Sequence, residues 1–519
     1  MIDTPTLLDS LPARISDAPH RWAQRTPVAA ALRDGGRDWT YAELDAAIAG
    51  AAALLRKLGL RPGDRLMVVG ENCAAQVALT FAAAAIDAWI VHVSGRLSAR
   101  EIDAIREHAG ARRVVYLVAN SADAAVQGVR QGAMAPDPKD VPALLAELVV
   151  GPLNADCVPE PVVASNEQVA ALVYTTGTMG QPKGVMLTHR NLLFIAAVSS
   201  TLRGLLPTDR AYGVLPISHV YGLASVLLGT LTAGACVHLA PRFGPDALIK
   251  ALRDDGLTIV QGVPAMYARL LETLGGAGAP LPNRLRFAYA GGSPLDPGLK
   301  RDVEKLLGVV MHNGYGLTET SPTVSQTRLD APRADTSVGT AIPGIEIRLT
   351  GSDGANVADG VPGELWVRGP NVMRGYYRAP DLTAQVLGAD GWLNTGDMAR
   401  RDADGALFIV GRTRELIIRS GFNVYPLEVE TLLNTHPAVT QSAVVGRGAS
   451  DGNEEVVAFV EIAPGHHVDA EELQAYLVPL LAPYKCPSEI ILMAALPAAA
   501  SGKVLKGQLR TLAEGRRNN

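Results

Sequence analysis

Ten consecutive residues carry an unusual density of phosphate-binding groups. Thr175, Thr176 and Thr178 are interleaved with Gly177, Gly180 and Gly184, and Met179, Gln181, Pro182 and Lys183 complete the run. Hydroxyl donors, a backbone free to curl around an anion and one ammonium charge are what a phosphate chain needs from its host. The run follows Val169 to Val173, an apolar segment that reads as a buried strand. It is not a Walker A loop, in which the lysine is followed by Ser or Thr; here Lys183 stands between Pro182 and Gly184. No GxGxxG turn follows a strand, so a dinucleotide site of the Rossmann kind has no support.

This string resembles the signature phosphate loop of the adenylate-forming superfamily, which includes acyl- and aryl-CoA synthetases, luciferases and peptide-synthetase adenylation domains. Thr176 and Met179 stand where that family usually has Ser and Thr, so one hydroxyl is kept and one is lost. Other motifs of the family follow in its order. The stretch Ala290 to Leu295 resembles the wall between the adenine and acyl sites, which implies Gly291, Gly292 and Ser293 there. Asn313, Gly314, Tyr315, Gly316 and Leu317, followed by Thr318 and Glu319, resemble the adenine and metal motif. The resemblance gives Tyr315 the purine face, Thr318 a bond to the α-phosphate, and Glu319 the Mg²⁺ on the phosphates, a hard oxygen ligand for a hard cation. Asp397, in Trp392 to Asp397, matches the acceptor for the ribose hydroxyls. Arg412 matches a nucleotide contact, Arg414 the pivot of a hinge, and Lys503 the C-terminal catalytic lysine at the α-phosphate.

The acyl side is implied in the same way. Leu215 to Gly222 resembles the motif whose histidine, here His219, gates the acyl pocket; Val220, Tyr221, Gly291, Gly292, Gly316, Pro322 and Thr323 would line it. Arg242 matches a position that meets the CoA nucleotide. After the hinge, Ile418 and Ser420 replace lysines that many plant aryl-CoA ligases carry, which leaves Ser420, Gly421 and Phe422 as the candidates for holding CoA.

Such a set needs elements to position it. The chain has 519 residues, too many for one core. With 48% hydrophobic and 19% charged residues it reads as globular, and its net charge of −5 gives no basic field for nucleic acid. Thr40 is a plausible N-cap for a helix running through Leu55. Arg65 to Val69 reads as a buried strand, Ala74 to Ala85 as a helix and Trp89 to Val93 as a second strand, an alternation that predicts α/β layers with parallel strands. Asn120 to Asn166 reads as a connecting region. Short strands between Gly- and Asp-rich turns from Thr340 to Tyr377 predict a small antiparallel or barrel-like subdomain, and the chain after Arg412 reads as a compact α+β segment. The charge-free stretch Ala211 to Ala240 is long enough to span a membrane, but Pro216 and its glycines favour a buried loop, helix and strand. Four scattered cysteines and a start without a basic, apolar leader fit reduced thiols and a cytoplasmic location.

The fold expected is therefore α/β: a large N-terminal domain of α/β layers with a small β-barrel-like subdomain (residues 1–413), plus a small mobile α+β C-terminal domain (residues 414–519). The activity implied is an acyl-CoA ligase, monomeric or homodimeric, using ATP, Mg²⁺ and coenzyme A. The carboxylate attacks the α-phosphorus to give acyl-AMP and pyrophosphate; the CoA thiolate then attacks the acyl carbon. Positioning and charge stabilisation, rather than covalent catalysis, would supply the rate. The acid expected is a medium or long fatty acid or an aromatic one. A malonyl-type ligase, or a ligase loading a carrier protein, is the alternative, and a catalytically dead nucleotide binder is opposed by Lys183, Glu319, Asp397, Arg412 and Lys503. Because the matched pocket positions are neutral or apolar, a monocarboxylate is expected to be preferred over malonate, with Arg286 as the nearest reservation.

Overall fold

The computed structural model describes residues 3–145, 147–176, 182–419, 422–448, 454–463, 465–498 and 504–517. The chain packs as two compact units. One comprises Met1–Leu295, Arg301–Ile347 and Val367–Leu393; the other comprises Asp296–Lys300, Arg348–Trp366 and Asn394–Asn519.

The first unit is built on two sheets whose parallel strands alternate with helices. The helix Tyr41–Lys57 starts where the sequence places its cap: Thr40 Oγ1 accepts from the Glu43 amide while the Glu43 carboxylate accepts from the Thr40 amide. Ala74–Ala85 is a helix with the expected bounds. Arg65–Gly70 and Trp89–Ser94 pair in parallel in a seven-stranded sheet, and every residue of Arg65–Gly70 is buried. A parallel strand covered on both faces reads as an unbroken apolar run, which is why it was legible. The helix Ala122–Arg130, inside the region read as a connection, was not. It is capped by Ser121, but Val126 and Val129 face solvent and blur the apolar period.

The second sheet positions the chemistry. At its centre five parallel strands lie in the order Met311–Gly316, Phe287–Ala290, Ile259–Gly262, Arg210–Gly213 and Cys236–Leu239. Parallel strands deliver the loops at their carboxyl ends to a single edge, where ligands of open α/β sheets bind. The uncharged stretch folds as expected into a buried loop, the helical segments Tyr221–Leu228 and Gly229–Thr232, and the strand Cys236–Leu239. Among the described residues no helix is long and apolar enough to cross a membrane. All four cysteines are buried and unbridged.

The second unit carries a four-stranded sheet, in the order Glu346–Thr350, Gly363–Arg368, Leu393–Arg401, Leu407–Arg412, where the barrel-like subdomain was expected. It also carries a three-stranded sheet, Val439–Gly448, Glu454–Ile462 and Glu489–Met493, with the helices Pro426–Leu433, Ala470–Leu477 and Lys506–Arg517. Its core of valines and leucines, from Ile417 to Ile490, is fully α+β.

Candidate active site

The phosphate run is a hairpin. Val169–Thr176 pairs antiparallel with Pro182–Thr188, with Thr175 opposite Lys183 and Thr176 opposite Pro182. Lys183 thus stands on the returning strand instead of opening a helix, which is the physical difference from a Walker A loop. Gly177, Thr178 and Met179 lie outside the described residues, as does the side chain of Thr176.

A third strand, Gly375–Tyr376, pairs on the outer side of the hairpin with Tyr376 opposite Val185. It brings a residue that motif reading missed. The Lys183 ammonium lies 5.3 Å from the centroid of the Tyr376 ring. The Tyr376 hydroxyl donates to Glu319 Oε1 at 2.7 Å, and the Met373 amide donates to the Glu319 carbonyl at 2.8 Å. Burial and the Glu319 carboxylate push the Tyr376 phenol well above its ordinary value, so it remains a neutral donor. A cation, a phenol and a carboxylate therefore stand in one row beside the loop. Among the described residues there is no group of three or more His, Cys, Asp or Glu able to hold a metal. One oriented carboxylate is the donor set that suits Mg²⁺ carried on substrate phosphates, so Glu319 fits the ion. Nothing local marks Tyr376 in the sequence; only the strand pairing aims it at Glu319. Tyr376→Phe removes one hydrogen bond to a charged group, worth about 1.5 kcal/mol or more. The expected result is a roughly tenfold rise in the KM for Mg·ATP with a loss of stability of about 1.5 kcal/mol, checked by steady-state kinetics and melting.

The glycine wall and the histidine loop leave the same sheet edge. Gly291 to Ser293 follow the strand Phe287–Ala290, and Gly292 adopts a positive φ of 83° that favours glycine. Gly316 ends the neighbouring strand opposite Thr323; a Cβ there would lie 1.8 Å from the Pro322 carbonyl, so only glycine permits this approach. Thr318 and Glu319 form a short 3₁₀ turn beyond it. Asn313 is buried, its amide donating to the carbonyls of Thr336 and Ser337 while its own oxygen accepts from Gly314. These bonds fix the turn that leads into Tyr315.

His219 follows the strand Arg210–Gly213, and its loop is set by Asn72, a second residue that motif reading missed. The buried Asn72 amide donates to the carbonyls of Gly213 and Leu215, and its oxygen accepts from the Ile217 amide, each at 2.9 Å. His219 is exposed, and its Nδ1 accepts from the Tyr221 amide at 3.2 Å, which leaves the proton on Nε2. The chain then enters a π-helical segment, Tyr221–Leu228, in which Val220 and Tyr221 are buried. Such wide turns occur often at functional sites. The Tyr221 ring lies against Gly291, 3.2 Å from where a Cβ would stand.

Behind that wall is a buried guanidinium. Arg203 is 3% exposed, and among the described residues no carboxylate pairs with it. It donates to Gln261 Oε1 at 2.6 Å and stands 4.2 Å from the centroid of the Tyr289 ring. A lone charge so placed costs several kcal/mol after relaxation; its position at the C-terminus of the helix His189–Leu202 offsets at most about 2 kcal/mol. Arg286, the residue reserved in the sequence reading, is a different case. It lies just before the strand Phe287–Ala290, at the edge opposite the wall, and is tied to Asp209 and the Gly204 carbonyl. Arg242 is bound by Glu71 at 2.7 Å and Asp123 at 2.6 Å, so a CoA phosphate there would have to displace carboxylates.

In the second unit, Asp397 and Arg412 are cross-strand partners, with Arg412 Nε 3.1 Å from the buried Asp397 carboxylate. Arg414 sits exposed in the 3₁₀ turn Thr413–Glu415. Phe422 is 54% exposed and stacks on Tyr484, the centroids 4.6 Å apart. Ser420, Gly421 and Lys503 lie outside the described residues.

Residues 19–377 match the family model described as AMP-binding enzyme, and residues 428–503 match the AMP-binding enzyme C-terminal domain. A feruloyl-CoA synthase of Amycolatopsis sp is 35% identical over 95% of this chain and 97% of its own. ATP-bound MatB from Rhodopseudomonas palustris superposes with a TM-score of 0.82 at 29% identity, covering 96% of this chain and 98% of that one. MenE from Bacillus subtilis, solved with ATP and a magnesium ion, gives a TM-score of 0.80 at 28% identity over 95% and 98% of the two chains. By these matches the chain belongs to the AMP-binding enzyme family and is an ATP-dependent, AMP-forming acid–thiol ligase.

Proposed function

We propose that the acid is a compact aromatic carboxylate rather than a medium or long fatty acid, and that coenzyme A, not a carrier protein, takes the acyl group. One observation carries this reading: the Tyr221 ring packs on Gly291, and in this reading it closes the path a long chain would need. A flat ring fits between an aromatic face and a glycine wall, where an alkyl chain would have to displace the tyrosine. The name of the feruloyl-CoA relative points the same way. In this reading Thr175, Thr176, Lys183 and Thr318 hold the phosphates, Tyr315 meets the adenine, and Asp397 and Arg412 meet the ribose and nucleotide. Mg²⁺ on Glu319 supplies charge neutralisation at the phosphates. Lys503 serves the first half-reaction, Phe422 and its neighbours hold CoA, and residues 414–519 turn about Arg414 between the two steps.

The test is a pyrophosphate-release screen across aromatic, short, medium and long straight-chain acids, followed by thioester detection with CoA. Aromatic acids should give the highest kcat/KM. A best substrate among the long straight-chain acids would overturn the reading, and adenylate formation without CoA thioester would overturn the choice of acceptor.

A further inference from the structure

Among the described residues of the first unit two arginines are buried, and they are satisfied in different ways. Arg65 donates to the carbonyls of Gly63, Ala109, Gly110 and Val158, so backbone dipoles surround its charge. Arg203 donates to Gln261 Oε1 and is hydrogen-bonded to the Tyr289 hydroxyl, while its Nε is buried with no partner. Other donors near it go without acceptors. Tyr221 Oη, Gln261 Nε2 and Gln326 Nε2 are also buried and unpartnered. Flipping Gln261 would not help, because its oxygen is needed by Arg203 and its nitrogen would then face a cation. The Gln326 oxygen is taken in turn by the Tyr289 hydroxyl at 3.4 Å. A positive charge with surplus donors on several sides is the arrangement an anionic oxygen group completes.

The sheet register places this cluster relative to the chemistry. Gln261 and Tyr289 are paired across adjacent strands, and Gln326 is paired with Gly314. Tyr289 lies on the strand that ends just before Gly291. Tyr289 Oη crowds the Gly314 position, and Tyr221, whose ring covers Gly291, feels the Arg203 charge. The donors therefore sit on and beside the strands that lead up to the glycine wall.

We propose that Arg203, with Tyr221 Oη and the Gln261 and Gln326 amides, binds an anionic oxygen group at the end of the substrate remote from the carboxyl that is activated. This rests on the aromatic-acid reading and narrows it to acids carrying a second, distal anionic substituent. It also replaces the expectation of a simple monocarboxylate. Malonate remains disfavoured, because its second carboxylate is too near the first to span a ring's length.

The experiment compares terephthalate and 4-carboxycinnamate with their neutral 4-methyl counterparts and with 4-hydroxycinnamate, in the wild type, Arg203→Met and Arg203→Lys. Both pyrophosphate release and calorimetric binding without ATP are read. The wild type should favour one of the diacids over its 4-methyl counterpart by about 100-fold in kcat/KM, since a site built to satisfy a polar group discriminates strongly against its absence. Arg203→Met should abolish that preference while keeping or improving use of the 4-methyl acid, and Arg203→Lys should restore part of it. Equal use of diacid and 4-methyl acid by the wild type, or a preference for 4-hydroxycinnamate over both diacids, would overturn the proposal. So would loss of all substrates alike in Arg203→Met with unchanged binding of the diacid. If no aromatic acid is turned over, the functional reading fails by itself; diacid binding that depends on Arg203 would still support the anion subsite, and its absence would end that too.

Discussion

Lys503→Ala is expected to slow acyl-AMP formation by about 10²- to 10³-fold, the loss typical of one preorganised group that meets developing charge. Its motif match assigns this ammonium to the α-phosphate, where negative charge builds as the carboxylate attacks. On either side of it, Ala498 and Val504 form an antiparallel bridge, and the Leu505 amide donates to the Pro497 carbonyl at 2.8 Å. Neither contact uses the lysine. Thioester formation from synthetic acyl-AMP and CoA should therefore be nearly unchanged. A solvated tail lysine would affect neither step. Loss of both steps would mean that Lys503 serves each half-reaction, and would sink its assignment to the first alone.

Lys506→Met, three residues further on, should instead cost stability, by about 3 kcal/mol or more. The Lys506 ammonium lies 2.7 Å from Glu430 and 2.9 Å from Glu415, and its side chain is 23% exposed. Burial acts to lower its pKa, but the two carboxylates offset this and hold it above its ordinary value. Methionine fills much of the volume but strands two partly buried carboxylates, and Glu430 is additionally engaged by the Val444 amide. The effect has a pH signature. Burial raises the Glu415 pKa, Lys506 lowers it, and the net value lies below the ordinary 4.5. In the wild type that depression adds stability above about pH 4.5, lost as pH falls through the folded value. Without the lysine the burial contribution remains and only Arg412 and Arg414 oppose it, so the deficit should be largest near neutrality and shrink in acid. Denaturant melts of the full chain at several pH values test this. A deficit that grows in acid, or none at neutral pH, would show that the pair is not structural.

These two lysines mark the limit of the sequence. Lys503 is singled out because its local string repeats a chemical requirement, and so are Lys183, Glu319, Asp397 and Arg412. Elements with strong local signals were legible too: the capping box at Thr40 and Glu43, the alanine-rich helix Ala74–Ala85, and the unbroken apolar strand at Arg65–Gly70. In each, the information lies within a few residues of chain, where propensity, capping and burial period act. Lys506, Tyr376, Asn72 and Arg203 are ordinary residues in their own neighbourhoods. Tyr376 reaches Glu319 across 57 positions, Asn72 reaches Ile217 across 145, and Arg203 reaches Gln261 across 58. Those distances close only when strands far apart in the chain are brought side by side, and strand order and register come from packing the whole sheet rather than from any one segment. The sequence by itself thus determined the family, the nucleotide motifs and the layered α/β class. The tertiary structure alone decided that a phenol orients Glu319, that Arg242 and Arg286 already have carboxylate partners, and that among the described residues no carboxylate pairs with the buried Arg203.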